Sequence, residues 1–339
     1  MPQAKNGSGG DAAAQLQTHK GDDNSTSSGP QDSSPDAMKI APYNDDPDLP
    51  LYTIDQAPKH LSDNIYILTG YRVGYTARMC ARSILALHNE TFNIWTHLIG
   101  FVVFLFVIGW FFVLVLIPSS HQQQNEDALV ASHTESKGVT LFLFAAYSFG
   151  CLMCMLCSSL FHTLLSHKSA TVYSWVHALD YFGITFLVVG SFLPFCYFSF
   201  ACEPLWRWAY LSMISSLGAI GLLGPFFRQW TQQQYANSRT LFYVCMVSSG
   251  LFPITHIYFL LPGTISSSFV KGLLLMMTLY GVGVFVYAFR IPEFFFPGKF
   301  DLYLSSHQIW HVLVLAAAFV HFFNSASMYV NFRRMELSC

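Results

Sequence analysis

Seven long apolar runs alternate with short polar segments along most of the chain. Each run is close to the roughly 20 residues that a helix needs to cross a hydrocarbon core about 30 Å thick. Because a bilayer core holds no water, every backbone polar group of a spanning segment must be paired within the protein, which favours helices. The pattern therefore predicts an all-α membrane protein, a seven-transmembrane helix bundle. The predicted spans are residues 94–117, 139–161, 179–200, 206–227, 240–261, 270–290 and 308–330.

The residues outside the apolar runs form three further segments. Residues 1–47 are rich in small and polar side chains, which cannot bury enough apolar surface to offset the entropy of ordering, so we predict a disordered polar N-terminal tail. Residues 48–92 form a predicted cytosolic juxtamembrane segment, either an amphipathic helix on the membrane surface or a soluble cap. The bundle is expected to occupy residues 93–330, and residues 331–339 a short outer C-terminal tail.

Composition and charge indicate the class of protein and its orientation in the membrane. Of the 339 residues 53% are hydrophobic and only 11% are charged, whereas soluble domains carry roughly 25% charged residues. The net charge of −2 argues against nucleic-acid binding, which requires a basic surface. With the N-terminus inside, the cytosolic flanks of the spans hold eight Lys and Arg residues and the outer flanks five. This bias predicts a cytosolic N-terminus and an outside C-terminus.

Four ionisable residues near the ends of the spans are candidates for function, because such residues are costly inside a membrane. His162 ends the second run, Asp180 opens the third, and His307 and His311 open the seventh. Neighbouring spans run in opposite directions. The end of the second span and the starts of the third and seventh therefore lie on one membrane face, whichever way the protein is inserted.

This arrangement predicts a metal site. His307 and His311 are four residues apart and project from one helical face, so they can offer two nitrogens to one metal ion, with His162 as the third ligand. Three protein nitrogens leave one tetrahedral position open for water, as in catalytic zinc sites. Asp180 is then expected to orient that water and take its proton. Ser158, one turn before His162, would orient the imidazole or contact substrate. Interhelical His–Asp hydrogen bonds that only pack the helices remain the alternative.

The other histidines are expected to stay outside this site. His97 and His256 are predicted to be core histidines with satisfied hydrogen bonds, and His167 and His177 to lie solvated in a loop. His321 follows His311 by ten residues, about 15 Å along a helix, which is too far to share its metal.

Several motifs, in this order along the chain, closely resemble those of the progestin and adipoQ receptor (PAQR) family, which is related to haemolysin III. They begin with Asn-Glu-Thr-Phe-Asn-Ile-Trp-Thr-His-Leu and end with Ser-His-Gln-Ile-Trp-His-Val-Leu, and the resemblance extends over residues 51–330. It implies seven helices with a cytosolic N-terminus. The motifs lie at residues 89–98, 158–162, 179–181, 290–301 and 306–313.

The resemblance also implies a site and an activity. It implies Zn²⁺ near the cytosolic face, held by His162, His307 and His311, with Asp180 beside the zinc-bound water and Ser158 as the serine of a Ser-x₃-His motif. Adiponectin receptors of the family are assigned ceramide hydrolysis to sphingosine and a fatty acid. A receptor whose signalling output is hydrolysis of a lipid amide, with Asp180 and Ser158 as catalytic residues, is therefore expected. The alternative is a non-catalytic ligand sensor or Golgi scaffold in which the zinc is structural.

The protein is expected to be an integral, multi-pass membrane protein of the plasma membrane or of the Golgi and other endomembranes. The expected partners are membrane lipids, a sphingolipid or fatty-acid ligand within the bundle, an extracellular ligand, and a cytosolic partner at the N-terminal region. A channel is disfavoured because none of the predicted spans carries a polar stripe.

Overall fold

The computed structural model describes residues 46–113, 137–227, 230, 232–260 and 267–334. Nearly all of the predicted disordered tail, the last residues of the first predicted span and residues 335–339 lie outside this part. The helices of the described residues are α1 Ala77–Ser83, α2 Thr91–Phe111, α3 Lys137–Leu164, α4 Ala170–Ser199, α5 Pro204–Leu223, α6 Ala236–Ser248, α7 Leu251–Leu260, α8 Ser267–Ala288 and α9 Ser306–Arg334. Single turns of 3₁₀ helix occur at Ile54–Gln56, Gly224–Phe226 and Gln233–Tyr235.

Seven helical segments within these residues are long and apolar enough to cross a membrane. They are α2, α3, α4, α5 with the 3₁₀ turn that follows it, α6 with α7, α8, and α9. The predicted seven-helix bundle is thus confirmed. Helix α9 continues to Arg334, four residues into the predicted outer tail.

The third span begins earlier than predicted. Helix α4 starts at Ala170, nine residues before the predicted start at residue 179. Asp180 is therefore the eleventh residue of the helix and does not open it. The reason is that the first turns of α4 carry polar and exposed side chains, including exposed Trp175, so a search for continuous apolar residues misses them.

Close packing of α3 on α4 brings the candidate site residues of these two helices together. A Cβ added at Gly150 would lie 2.4 Å from the Phe186 carbonyl oxygen, and one at Gly183 would lie 2.9 Å from the Cα of Cys154. Small residues at helix contacts in membranes permit such close approach. The C-terminal half of α3, with Ser158 and His162, therefore faces the N-terminal half of α4.

The juxtamembrane segment is a folded cap (residues 51–90) and not one amphipathic helix. Strand β1, Leu51–Tyr52, pairs antiparallel with β2, Tyr71–Arg72, and only α1 is α-helical within it. Gly70 has a φ of +85°, a conformation that ends a right-handed helix, and Asn89 N would lie only 3.1 Å from a Cβ there. Leu61, Ile67 and Tyr71 form a small buried cluster with Leu165, the residue that follows α3. The cap therefore packs on the end of a span.

Candidate metal centre

Three imidazoles meet at one membrane face, as the topology predicts. One nitrogen from each of His162, His307 and His311 lies within 4.8 Å of those from the other two. His162 and His311 are buried, whereas His307 is partly accessible. The Nε2 atoms of His162 and His307 are 3.3 Å apart, although their helices, α3 and α9, are not consecutive. This group could bind a metal ion.

The donor geometry suits a tetrahedral ion. Two nitrogens at 2.0–2.1 Å from a tetrahedral zinc lie about 3.3–3.4 Å from each other, which matches the separation of 3.3 Å between the His162 and His307 nitrogens. Imidazole nitrogens are ligands that zinc prefers. The three histidines thus fit zinc in donor type, and the His162–His307 pair fits it in spacing as well.

Glu90, the last residue of the cap and the residue before α2, fixes the orientation of His162. Its Oε2 lies 2.8 Å from His162 Nδ1 and also accepts a hydrogen bond of 2.6 Å from the Asn93 amide. Burial acts to raise the pKa of Glu90, but the hydrogen bond from His162, together with the one from Asn93, keeps that pKa below its ordinary value. His162 therefore donates from Nδ1, which leaves its Nε2 lone pair for a metal.

The sequence prediction missed Glu90, although the topology argument could have found it. The start of the first span must share a membrane face with the starts of the third and seventh. Glu90 immediately precedes α2, so an acidic residue was already placed at the face where the histidines were expected.

Two buried charges from outside the spans bind the ends of the helices that carry the histidines. Arg72 of β2 donates to the carbonyl oxygens of His162, at 2.6 Å, and Thr163, at 3.2 Å, in the last turn of α3. A cation is favourable at a helix C-terminus, where carbonyl groups lack helical partners.

Glu293, in the loop between α8 and α9, makes the opposite contact at the start of α9. Its carboxylate accepts from the backbone N–H of Ser306 at 2.8 Å, from the Ser306 hydroxyl, and from the Asn64 amide of the cap at 2.9 Å. An anion is favourable at a helix N-terminus. Asn64 thereby links the cap to the helix turn that carries His307.

Asp180 and Ser158 form a separate pair in the same cavity as the histidines. The Ser158 hydroxyl is within hydrogen-bonding reach of the Asp180 carboxylate, and Asp180 interacts electrostatically with His162. Within the described residues, Asp180 makes no hydrogen bond to the three histidines. The structure thus brings all five predicted site residues to one cavity but leaves Asp180 outside the histidine group.

A cavity of about 410 Å³ connects these residues with the bundle interior. This volume lies in the range of roughly 300–1,000 Å³ that is usual for small-molecule sites. One end reaches His60 and Asn64 of the cap, and the other is lined by apolar side chains such as Val188, Val247 and Met277. The cavity therefore combines a polar end at the histidine site with an apolar end inside the membrane-spanning region.

Two histidines differ from the sequence prediction. His177 is not in a solvated loop but within α4, where it stacks on Tyr173 with ring centroids 5.5 Å apart, and it lines the cavity. His97 is buried, as predicted, but its hydrogen bonds are not satisfied. Within the described residues neither of its ring nitrogens has a hydrogen-bond partner, and its ring stacks on His311 with centroids 3.9 Å apart.

Two further buried histidines, His256 and His321, agree with the prediction. His256 is buried beside Tyr210, with Nδ1 2.9 Å from the Tyr210 hydroxyl. His321 pairs through Nε2 with the Ser191 carbonyl at 3.0 Å and does not belong to the histidine group.

Fold and site together define a polytopic, all-helical membrane protein with seven spans and a triple-histidine centre at one membrane face. A family model described as haemolysin-III related matches residues 85–322. The chain belongs to this family, which includes the progestin and adipoQ receptors, and it is an integral, multi-pass membrane protein.

Curated relatives support the same assignment. The progestin and adipoQ receptor-like protein 1 of Caenorhabditis elegans is 36% identical over 290 residues, 84% of this chain and 62% of the relative. The adiponectin receptor protein of Drosophila melanogaster is 35% identical over 286 residues, 83% of this chain and 60% of the relative. Member 3 of the progestin and adipoQ receptor family of Mus musculus is 32% identical over 297 residues, 85% of this chain and 88% of the relative. The chain thus spans about three fifths of the length of the nematode and fly proteins.

Proposed function

We propose that this receptor-family protein binds zinc through His162, His307 and His311 and hydrolyses a lipid amide, ceramide to sphingosine and a fatty acid, as its signalling output. The observation that carries the proposal is that a histidine group with zinc-compatible spacing and the Ser158–Asp180 pair share one cavity, whose other end is apolar. The fly relative named adiponectin receptor supports the receptor assignment.

The proposal gives each site residue a task. When bound, zinc would act as a Lewis acid that polarises a carbonyl oxygen and acidifies water. The three histidines hold it, and Glu90 keeps His162 in the tautomer that leaves Nε2 free. Hydrolysis breaks the amide C–N bond, with a hydroxyl group added to the acyl carbon and a hydrogen to the nitrogen. The Asp180 carboxylate, oriented by the Ser158 hydroxyl, accepts the proton of the attacking water and returns it to the leaving amine.

The cavity supplies binding and protection from water. Its apolar end accepts the acyl chain, so that burial of the chain positions the amide beside the polar end. The walls at this end come from membrane-spanning helices, which also keep bulk water away from the reacting groups.

We place the histidine site on the cytosolic side, with the N-terminal tail and the cap facing the cytosol and the C-terminus outside. The excess of Lys and Arg on the flanks at this face supports the assignment. A disulfide bond at Cys202, between α4 and α5, supports it as well. The α4–α5 connection lies on the face opposite to the site, and disulfides persist in oxidising, non-cytosolic compartments.

The first test is the metal content of the purified, folded protein. We expect about one zinc per chain in the wild type and none in His307→Ala/His311→Ala with unchanged folding. His167→Ala, in the turn after α3 and outside the histidine group, is the matched control and should keep its zinc. A folded wild type without zinc contradicts the proposal.

The second test is turnover of radiolabelled ceramide in detergent. Asp180→Asn should lose about a hundredfold or more in rate, as expected for a general base, while it keeps zinc and folding. Asp55→Asn replaces an exposed carboxylate of the cap and should behave as wild type. A protein that binds zinc but hydrolyses no ceramide would instead support the alternative, in which zinc joins α3 to α9 in a non-catalytic sensor or scaffold.

A further inference from the structure

We infer that Asn93 and His97 of α2 form a binding subsite for a hydroxyl group of the lipid ligand, beside the histidine centre. Both side chains line the cavity, and both are more than nine-tenths buried. Each has polar atoms without a hydrogen-bond partner in the described structure: Oδ1 of Asn93 and both ring nitrogens of His97. The inference rests on the proposed function, because it specifies which lipid amides the site prefers.

The orientation of Asn93 is fixed by its neighbour. Its Nδ2 donates to the Glu90 carboxylate at 2.6 Å, and only the amide nitrogen can make this bond because a carboxylate accepts. Oδ1 must then point elsewhere, and within the described residues it is buried without a donor, in a side chain that lines the cavity. A buried acceptor left unpaired destabilises the protein. A ligand donor at this position would remove that cost.

His97 lies four residues after Asn93, so both side chains occupy the same face of α2. Its ring stacks on His311 with centroids 3.9 Å apart and an interplanar angle of 14°. Stacking holds the ring beside the centre without using either nitrogen. His97 therefore offers a positioned donor and a positioned acceptor, which a neutral imidazole always carries together.

The chemistry of the pair selects the ligand group. A hydroxyl can donate its hydrogen to Asn93 Oδ1 and accept from a His97 N–H at the same time. A lipid amide with a hydroxyl close to its amide, as in ceramides, satisfies both side chains. A lipid that lacks this hydroxyl leaves Asn93 Oδ1 buried and unpaired. The subsite therefore separates hydroxylated from non-hydroxylated lipid amides.

The experiment is equilibrium binding of radiolabelled C16 ceramide, 1-deoxyceramide and 3-deoxyceramide to purified protein in nanodiscs. The metal is stripped by a chelator so that no lipid is hydrolysed. We expect the wild type to bind ceramide about 5- to 100-fold more tightly than the deoxy analogue that lacks the hydroxyl bound by the subsite, either 1-deoxyceramide or 3-deoxyceramide. His97→Phe keeps a ring on His311 but removes the nitrogens. It should bind ceramide and that deoxy analogue with equal affinity. His97→Gln, which restores a donor and an acceptor, should regain part of the preference.

His321→Phe is the matched control, because it also replaces a buried histidine, but one that pairs with Ser191 away from the centre. It should keep the preference for ceramide, and metal-loaded His97→Phe should keep its zinc. The subsite is overturned if the wild type binds no ceramide, if it does not distinguish the analogues, or if the preference survives in His97→Phe. Turnover is measured separately. Binding preference without hydrolysis would contradict only the proposed activity, and hydrolysis without preference would contradict only the subsite.

Discussion

Glu90 Oε2 and His162 Nδ1 are 2.8 Å apart, and this contact determines which nitrogen of His162 faces the other two histidines. A carboxylate accepts hydrogen bonds only, so the proton of the imidazole stays on Nδ1. Nε2, 3.3 Å from His307 Nε2, then carries the lone pair. A residue immediately before the first span thus sets the chemistry of a residue at the end of the second.

We expect Glu90→Ala to weaken zinc binding about 10- to 100-fold, the usual effect of losing the partner of a metal-bound histidine. Glu90→Gln should lose less, because its Oε1 can still accept from Nδ1. Competition with a chromophoric chelator measures the affinity. Glu203→Gln, which changes an exposed carboxylate before α5, is the matched control and should not alter it. Equal zinc affinity of Glu90→Ala and the wild type would show that the contact does not orient the ligand.

Arg72 provides a second test of how the cap orients the centre. Its guanidinium binds the His162 carbonyl, the Thr163 carbonyl and the Ser83 hydroxyl at the same time, a geometry that a single ammonium group cannot reproduce. Arg72→Lys should therefore lower zinc affinity several-fold. It should also shift the visible absorption of the cobalt-substituted protein, because the last turn of α3 loses its hydrogen bonds from the guanidinium.

Arg82→Lys is the control for this prediction. Arg82 also belongs to the cap, but its side chain is half exposed and, among the described residues, pairs only with Asp48 at 3.1 Å, so an ammonium can replace it. If Arg72→Lys lowers the melting temperature but leaves the cobalt spectrum unchanged, Arg72 stabilises the cap without positioning His162.

The seven spans could be predicted from the sequence because apolar length alone determines which segments can cross a bilayer. The grouping of His162, His307 and His311 could also be predicted, since alternating direction places helix ends on one face whatever the packing is. The start of α4 could not be predicted in this way, because the polar and exposed residues of its first turns precede the apolar run. Asp180 therefore lies in the same cavity as the histidines but is the eleventh residue of its helix and not its first.

The environment of His97 and the fold of the cap could not be predicted from sequence patterns, for a different reason. Whether a buried imidazole is paired depends on side chains from other helices, and the ring that covers His97 belongs to His311 of α9. Likewise the strands of the cap are only two residues long, so no alternation of polar and apolar residues identifies them. Both features arise from contacts between residues that are distant in the chain.

His88 makes stability depend on pH. It is fully buried in the cap, with Nε2 3.0 Å from the Ser83 carbonyl and Nδ1 accepting from the Glu90 N–H at 3.1 Å, so both nitrogens are satisfied in the neutral form. Burial, followed by the charge of Arg72 and opposed by that of Glu90, lowers the pKa of His88 from 6.5 to about 3. The unfolded chain therefore takes up this proton first as pH falls.

The contribution of His88 is therefore fully present above about pH 6.5 and is lost as pH falls from there towards 3, by about 1.4 kcal/mol per pH unit. We expect His88→Gln, which does not titrate, to have a lower melting temperature at pH 7.5 but a shallower decline between pH 6.5 and 5. Thermal unfolding of both proteins in detergent measures this slope. Identical slopes would mean that His88 does not contribute to the pH dependence.

Gly150 is required where α3 meets α4, because a Cβ there would lie 2.4 Å from the backbone carbonyl oxygen of Phe186, which cannot move aside alone. Gly150→Ala must therefore separate the two helices or bend one of them, at a cost of about 1–3 kcal/mol or more. The same movement would pull Ser158 away from Asp180. We expect a lower melting temperature and slower ceramide turnover.

Gly109→Ala in α2 is the matched control, because a Cβ at this exposed glycine meets no atom of the described residues within 4 Å. The same change of residue there should alter the free energy of unfolding by less than about 1 kcal/mol, in the stabilising direction, since alanine loses less backbone entropy in a helix. Zinc content separates two effects in Gly150→Ala. Retained zinc with slower turnover places the damage at the Ser158–Asp180 pair, whereas equal stability of the two variants would show that α3 and α4 do not pack as closely as the structure has them.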